Sequence, residues 1–483
     1  MLRAAAVAAV WPAAGCTLGP RFEKPRVDVP ESFRATADTA EAAWPAPDWW
    51  RNFQSGELDA LIATARAYNT DLAAAAARVV QADAQVRISG APLLPSVDGT
   101  ADFQYRRSGT SGSVTRGSIV DPTSGVSIPL GGGSRYRDIR TYSTGLQVAY
   151  DLDFWGRNRA LAEASQAAAV ATRFDQETVA INVVTGVATT YFQLLAAQDR
   201  VRVAERNLRD AQRILGAFRA RLAAGTSNAL DVSQQEALVS GQLASLPGLR
   251  NNVEQQRIAL GLLVGRPPER VVADGGTLDK VPLPLVAPGI PSEVLARRPD
   301  VAAAEAQLVA ENANIRAARA AFFPQIQLTA SGGLTSAALS AITGPDTVVA
   351  ALAAGLTQSI FDNGLRRGQL EQARGRYDEL LAAYRRATIQ SFTDVEEALT
   401  ALRYSSEQET LFRRAVAVAE RSAAIARAQL EAGTIDIITS LNTQTTLFNY
   451  LDQLTQVRLV RFQALVNLYK ALGGGWAPAG VAT

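Results

Sequence analysis

The sequence contains an internal repeat, and this feature limits the possible folds more than any other. Glycines that follow similar segments recur at one constant offset, namely Gly156 with Gly364, Gly225 with Gly433, and Gly265 with Gly473. Upstream the offset is larger, from Pro95 to Pro324, so the first copy carries an insertion between Pro95 and Gly156. Each half therefore predicts the same series: helix, strand, loop, strand, very long helix, Gly-Thr turn and helix.

The long helices of this repeat are predicted to be continuous. No proline occurs between Leu130 and Leu246 or between Asp346 and Ala477, and apolar residues recur there at three- and four-residue spacing, which predicts helices. The stretch from Arg157 to Ala224 would reach ~100 Å as one helix at ~1.5 Å per residue. Helices of that length indicate coiled-coil packing. Two or three shorter helices, broken at Gly186 or Gly216, are the alternative.

The composition removes several classes of function. The chain has 48 Lys+Arg and 46 Asp+Glu, without the concentrated basic charge that a nucleic-acid partner needs. It has no histidine and one cysteine, so the commonest general base and transition-metal ligand are missing and no internal disulfide can form. We therefore expect no enzyme, no catalytic residue, no metal site and no cofactor. We also expect no transmembrane helix, because we find no run of ~18 strongly apolar residues.

The N-terminus predicts export and lipid anchoring. The segment MLRAAAVAAVWPAAGC has a positive residue, Arg3, then a short apolar core and small residues before Cys16, the pattern of a signal peptide. A cysteine directly after such residues resembles a bacterial lipobox, in which Cys16 becomes the acylated first residue. We expect residues 1–15 to be the signal peptide and the Pro-rich residues 16–55 to be a tether. An ordinary buried cysteine near a frayed terminus is the alternative.

Two pairs of alternating segments predict membrane strands at about 95–106, 141–154, 324–333 and 348–361. The longest of them reach the ~10 residues that a tilted strand needs to cross a bilayer. Their acidic residues fall on the polar face, which suits a water-filled lumen: Asp98, Asp102, Asp151 and Asp153. The Gly/Ser/Thr-rich residues from Arg106 to Arg140 are expected to form a long external loop. Amphipathic strands of a soluble sheet are the alternative for any single segment.

Four strands cannot close a barrel, and lipid tolerates no open sheet edge. Closure therefore requires strands from several chains. Three copies would supply 12 strands, an even number that leaves room for an aqueous pore.

Several motifs together resemble a known family. They are CTLGP after the predicted cleavage site, the turns AGTSNALD and AGTIDIIT, the segment RRPDVAAAEAQL, SIFDNG, and the terminal LVNLYKALGGGW. They resemble the bacterial outer-membrane efflux factors of the TolC-like superfamily, specifically the NodT/OprM-type lipoproteins that serve RND pumps. The resemblance implies an α+β membrane protein: a homotrimer whose 12-stranded barrel, with four strands per chain, continues into a long α-helical coiled-coil periplasmic tunnel.

The resemblance also implies a function and its partners. The chain would be the outer-membrane component of a tripartite efflux pump, a passive exit duct for drugs or other small solutes. Its partners would be a periplasmic adaptor, an inner-membrane RND-type pump and outer-membrane lipid, with no nucleic acid. The same fold serving type I protein secretion or heavy-metal efflux is an alternative, and a periplasmic coiled-coil scaffold is a weaker one.

Site residues follow from the same resemblance. The two Gly-Thr turns would contact the adaptor through Ala224, Gly225, Thr226, Ala432, Gly433 and Thr434. Residues just past the turns would form the gate or constriction of the tunnel: Asp231, Asp436, Thr439 and Asn442. Helix N-capping is the alternative role for Asp231. An asparagine ring at Asn442 would offer hydrogen bonds without fixed charge, which puts a strong cation preference in doubt.

The predicted domain division follows the repeat. The first efflux repeat spans residues 56–265 and the second spans 292–473. An equatorial linker, 266–291, lies between them, and residues 474–483 form a C-terminal tail.

Overall fold

A computed structural model describes residues 19, 22–34, 44–110, 118–120, 127–129, 135–273, 276–284 and 291–477. Cys16 and the predicted signal peptide lie outside the described residues. The chain divides into two compact units, each built from both repeats. The first unit comprises Met1–Arg21, Gln85–Ser165 and Glu311–Gly375, and the second comprises Phe22–Ala84, Gln166–Ala310 and Arg376–Thr483.

The first unit contains a four-stranded antiparallel sheet in the order β1-β4-β5-β6. Its strands are β1 (Ser96–Thr110), β4 (Arg135–Leu152), β5 (Gln325–Ser336) and β6 (Val348–Thr357). A separate short hairpin pairs β2 (Ser118–Val120) with β3 (Ser127–Pro129). Each repeat contributes one long hairpin to the four-stranded sheet, and β1 and β6 stand at its two edges.

The register of this sheet separates a polar face from an apolar face. Because residues directly opposite each other on adjacent strands share a face, the pairs Asp98–Gln147 and Asp102–Ser143 place polar side chains together. Asp151 pairs with Gln327 on the same face. On the other face the rings of Phe103 and Tyr142 pack with centroids 4.8 Å apart. The alternation read from the sequence therefore extends across β1, β4 and β5, whereas β6 presents small or apolar residues on both faces.

Several predicted strand limits are wrong. The loop expected from Arg106 to Arg140 is strand at both ends, since residues 106–110 pair with 135–139 and the β2–β3 hairpin lies between them. Low intrinsic strand propensity does not stop a hairpin from extending once backbone groups are paired across it. β4 ends at Leu152 rather than 154, and β6 ends at Thr357, which leaves Phe361 outside the sheet and 85% exposed.

Eight α-helices complete the described chain. They are α1 (Gly56–Tyr68), α2 (Thr70–Gly90), α3 (Arg157–Ala223), α4 (Ala229–Val264), α5 (Pro291–Ala296), α6 (Pro299–Ala320), α7 (Leu365–Glu431) and α8 (Ile437–Ala471).

The two long helices are continuous, as the absence of proline predicts. α3 and α7 have 67 residues each, so the alternative of breaks at Gly186 or Gly216 is wrong. A single glycine costs a helix only about 1 kcal/mol relative to alanine, and packing compensates for it. Among the described residues α3 also contains an 18-residue window apolar enough to span a membrane, contrary to expectation, but 61% of that window is buried within the chain. These apolar side chains form core.

The core of the second unit is built around aromatic side chains. Trp49 stacks on Tyr469 with ring centroids 4.5 Å apart, and Phe192 packs against Phe462 at 4.8 Å. Trp49 belongs to the 3-10 helix Trp49–Phe53, whose three aromatic side chains are buried. The prediction that residues 16–55 are only a tether is therefore wrong for its last part. A WWRNF segment has too much aromatic surface to remain in water.

Side-chain contacts show which of the helices α3, α4, α7 and α8 are neighbours. The Gln235 amide of α4 donates to the Ala211 carbonyl of α3 (2.9 Å), and Arg200 of α3 pairs with Asp452 of α8 (2.6 Å). Arg461 of α8 in turn pairs with Glu409 of α7 (2.8 Å). These contacts give the series α4–α3–α8–α7, with α4 and α7 at its ends.

Candidate functional site

The two Gly-Thr turns have the same geometry. After α3 the N–H of Gly225 donates to the Leu222 carbonyl (3.0 Å) and that of Thr226 to the Arg221 carbonyl (2.9 Å). After α7 Gly433 and Thr434 repeat both bonds at 3.1 and 2.9 Å. Both glycines have positive φ, 71° and 74°. This is the Schellman motif, which glycine favours because it has no Cβ to clash in the left-handed conformation.

A side chain caps the helix that follows each turn. Asn228 accepts a hydrogen bond from the Asp231 N–H (2.9 Å), and Asp436 accepts one from the Thr439 N–H (2.8 Å). Asp231 is therefore not the capping residue, because Asn228 occupies that position. Hydrogen bonds from the side chain and backbone of Thr439 hold the pKa of the Asp436 carboxyl below its usual value. Asp436 is thus anionic at neutral pH, beside the positive end of the α8 dipole.

The two turns lie side by side, at the same height along the long helices. The guanidinium of Arg221, near the end of α3, donates to the carbonyls of Leu430 (3.0 Å) and Glu431 (2.7 Å), the last residues of α7. The predicted contact residues 224–226 and 432–434 therefore form one paired tip.

Two of the gate candidates line a groove beside this tip. Thr439 and Asn442 of α8 share a groove of about 640 Å³ with Arg414 and Val418 of α7. Asp231 is not among the described residues that line this groove. Its carboxylate instead accepts a hydrogen bond from Ser227 Oγ at 3.0 Å. The four sequence candidates therefore separate into a groove pair, Thr439 with Asn442, and two carboxylates at the helix starts, Asp436 as the cap of α8 and Asp231 in the first turn of α4.

The four carboxylates expected in the barrel lumen lie in two different places. Asp98, Asp102 and Asp151 lie on the polar face of the sheet. Asp153 lies beyond β4, and its carboxylate accepts from the backbone N–H of Asn158 (3.0 Å) and Arg159 (2.8 Å) in the first turn of α3. Assigning Asp153 to the lumen strand is thus wrong. Unpaired N–H groups at a helix start attract a nearby carboxylate, and period-2 patterning cannot reveal this.

A buried charged cluster was missed by sequence reasoning. Glu409 of α7 is 2% exposed and accepts hydrogen bonds from Arg413 (2.7 Å), Arg458 (3.1 Å) and Arg461 (2.8 Å). Burial alone would raise the pKa of Glu409, but the three guanidiniums hold it below its usual value. Arg458 also pairs with Asp279 at 2.7 Å. The only sign of this cluster in the sequence is that Glu409 occupies a position of α7 that the heptad spacing places on its buried side.

A second buried charge stands at the start of α6. Arg298 is 8% exposed and pairs with Asp300 (2.6 Å) and Asp394 (2.7 Å). Burial disfavours its charge, yet the two carboxylates raise the pKa of Arg298 above its usual value. Within the described residues no group of three or more His, Cys, Asp or Glu side chains could hold a metal ion. The two charged clusters join neighbouring helices: Glu409 links α7 to α8, and Arg298 links the start of α6 to α7.

Comparison with known proteins identifies the family. The model of the outer membrane efflux protein family matches residues 61–266 and 290–474. The chain belongs to the outer membrane efflux protein family. It is 37% identical over 440 residues to the pyoverdine export outer membrane protein OpmQ of Pseudomonas putida, covering 91% of this chain and 90% of OpmQ. It is 29% identical to the cation efflux system protein CusC of Escherichia coli, covering 96% of both chains.

Solved structures of members of this family share the fold. The outer-membrane channel OprN superposes with a TM-score of 0.85 at 25% identity, covering 96% of this chain and 100% of OprN. The open state of the Neisseria gonorrhoeae channel MtrE gives 0.83 at 28% identity, covering 96% and 99%. The predicted TolC-like fold and the predicted function, an outer-membrane channel component of an efflux system, are confirmed. The family and fold are those of channels rather than enzymes.

Proposed function

We propose that three copies of the chain form the passive outer-membrane exit duct of a tripartite efflux pump. The two-faced sheet carries this proposal, because its edges β1 and β6 must be paired before lipid can surround it. Pairing β6 of each copy with β1 of the next gives a closed 12-stranded barrel. Asp98, Asp102 and Asp151 then face water in the lumen, and the apolar face meets lipid.

The paired tips are the proposed contact with a periplasmic adaptor that joins the channel to an inner-membrane RND-type pump. Residues 224–226 and 432–434 are the ends of two helical hairpins, where backbone and side chains are exposed to a partner. The chain's long helices contribute no chemical step. Energy comes from the pump, and the channel supplies a path and a closed resting state.

The gate is proposed to lie at Thr439 and Asn442. In a trimer these residues form rings of neutral hydrogen-bonding groups, while Asp436 adds three negative charges beside them. Asp231 stays a secondary candidate because its carboxylate is already occupied by Ser227.

Small solutes are the proposed cargo. The relatives include a pyoverdine export protein and a cation efflux protein; the second supports heavy-metal efflux as the alternative cargo, and none of the relatives reported above supports type I protein secretion. A sequence with no histidine and no methionine beyond Met1 offers few soft ligands for a metal relay.

Anchoring and domain limits are also proposals. Acylation of Cys16 after removal of residues 1–15 would hold the N-terminus at the outer membrane. The match of the family model to residues 61–266 and 290–474 supports repeats near 56–265 and 292–473, with 266–291 as the equatorial linker and 474–483 as the tail.

A cell assay tests the export role. Deleting the gene should raise the accumulation of fluorescent pump substrates, and the wild-type chain should restore export only in cells that retain the adaptor and pump. Unchanged accumulation on deletion, across drug, metal and protein cargoes, would contradict the proposal.

Ion selectivity tests the gate. Asn442→Asp should raise the cation preference of the purified channel in planar bilayers, measured as a shifted reversal potential. The matched control is Asn449→Asp, two helical turns further from the tip on the same helix, where the expected shift is smaller. Equal shifts from both variants would place the constriction elsewhere.

A further inference from the structure

A recess between α3 and α8 has no part in the proposed duct. It encloses about 420 Å³, and the segment around residues 277–279 forms one of its sides. All the residues that line it belong to the second compact unit. We call it the arginine recess after its four guanidinium groups: Arg202, Arg206, Arg209 and Arg458.

Three of these arginines form a row along α3. Arg202, Arg206 and Arg209 are four and three positions apart in the sequence, so their side chains share one face of the helix. Like charges at such spacings destabilise a helix. The row is therefore unfavourable unless negative charge lies against it.

The carboxylates of the recess do not neutralise this row. Each of the three has a partner of its own: Asp199 with Arg202, Glu205 with Arg250 (2.9 Å), and Asp279 with Arg458 (2.7 Å). Glu205 stands one turn before Arg209 but finds its partner on α4. Within the described chain, Arg206 and Arg209 are exposed and form no ion pair or hydrogen bond. Two positive charges of the recess are thus left unpaired.

This surplus charge matches one chemical group well. A phosphate monoester carries about −1.5 to −2 charges at neutral pH and has three strong acceptor oxygens. The planar guanidinium group offers pairs of N–H donors at the spacing of phosphate oxygens. The Thr277 hydroxyl accepts a hydrogen bond from the Asp279 N–H (3.3 Å) and can still donate its own proton to a ligand.

The rest of the recess is suited to an apolar group. Val203 and Leu454, which belong to its lining, are buried, whereas Arg206 and Arg209 are exposed. The recess therefore has an apolar floor and a charged rim. Its volume lies near the lower end of the range of small-molecule sites, about 300–1,000 Å³. A soluble molecule with a small apolar body fits this space, and the acyl chains of a lipid do not.

We propose that the arginine recess binds a soluble phosphate monoester with a small apolar body. Arg206 and Arg209 hold the phosphate, and the apolar body lies against Leu454. A bound ligand then links α3 to α8. The site uses neither the proposed gate nor the tips, so its failure would leave the proposed function untouched. An acidic segment of a partner protein is the competing occupant.

Isothermal titration calorimetry of the purified protein tests this site. Phenyl phosphate is the probe, in a buffer that contains no other phosphate, sulfate or sulfonate, and it should bind saturably at one molecule per chain. Arg206→Gln combined with Arg209→Gln should weaken binding about tenfold or more, because both charged donors are lost. The matched control is Arg213→Gln, the next arginine of the row, which lies outside the recess lining and pairs with Asp210 (3.2 Å).

Two further probes separate the parts of the ligand. Inorganic phosphate keeps the charge without the ring, and benzenesulfonate keeps the ring with a single charge, so both should bind more weakly than phenyl phosphate. The thermal midpoint of each variant without ligand shows that it is folded. No binding to the wild-type chain, or equal affinity in the double variant, overturns the proposal in favour of the protein occupant. Equal affinity for either further probe overturns the assignment to an apolar phosphate monoester.

Discussion

Glu409 provides the sharpest test of how the helices are held together. Its carboxylate is buried and accepts from Arg413, Arg458 and Arg461. With Asp279 the cluster has two negative and three positive charges. Glu409→Gln keeps the shape but leaves three guanidiniums around one neutral amide, with Asp279, which contacts only Arg458, as the one remaining carboxylate of the cluster.

The expected cost follows from this geometry. Removing one partner of a buried ion pair costs about 3–5 kcal/mol because the remaining charges stay desolvated. The side chain of Arg413 is 58% exposed and can turn to water, so we expect the lower end, about 3 kcal/mol. Local opening near residue 409 in α7 and 458 in α8 should then increase about 100-fold.

Hydrogen exchange measured by mass spectrometry reads this local opening directly. Glu407→Gln is the matched control, since in the described part of the chain exposed Glu407 forms no ion pair, and its effect should stay within about 0.5 kcal/mol. An increase of less than threefold in Glu409→Gln, or an equal increase in the control, would refute the reasoning.

The same residue predicts a pH dependence. The guanidiniums lower the pKa of Glu409 in the folded chain, so the folded state binds this proton more weakly than the unfolded state does. Its stabilisation is therefore fully present above the unfolded glutamate pKa of about 4.3 and is lost as pH falls through the lower folded pKa. In the wild-type protein, protection from hydrogen exchange near residues 409 and 458 should fall in that acid range. The Glu409→Gln variant should lack this pH-dependent loss of protection.

Three further outcomes follow from single contacts. Arg298→Met leaves Asp300 and Asp394 without their shared cation and should lower stability by about 3 kcal/mol at neutral pH, seen as a lower thermal midpoint, with Arg386→Met, at an exposed position of α7, as control. Gly433→Ala forces a Cβ into a left-handed turn with φ of 74° and should destabilise the tip by about 1–2 kcal/mol, raising exchange there but not in the sheet. Trp49→Ala removes the stack on Tyr469 and should cost about 3–5 kcal/mol, detected as faster proteolysis of the N-terminal segment; unchanged cleavage would contradict its role in the core.

Much of the fold could be predicted because the repeat is periodic. The constant offset between the two copies located both long helices and both tips, and Gly225 and Gly433 lie in the predicted turns, where both have positive φ. The strand alternation placed Asp98, Asp102 and Asp151 on one face. These features depend on local sequence, which is where pattern reasoning is strongest.

The errors share a different origin. The two ends of the expected loop become strand through pairing with each other, and Trp49, which follows a Pro-rich segment, packs into a core formed by distant helices. Asp153 departs from the strand alternation to satisfy the start of α3. The Glu409 cluster joins residues from α7, α8 and the segment that contains Asp279. Each depends on a contact beyond the local pattern, which one sequence does not display.

Single-channel recording of the purified wild-type protein in planar bilayers tests the central claim most directly. A trimeric preparation should insert and give discrete conductance steps from a channel that is closed most of the time. A protein that stays soluble without detergent and produces no conductance would contradict the outer-membrane duct.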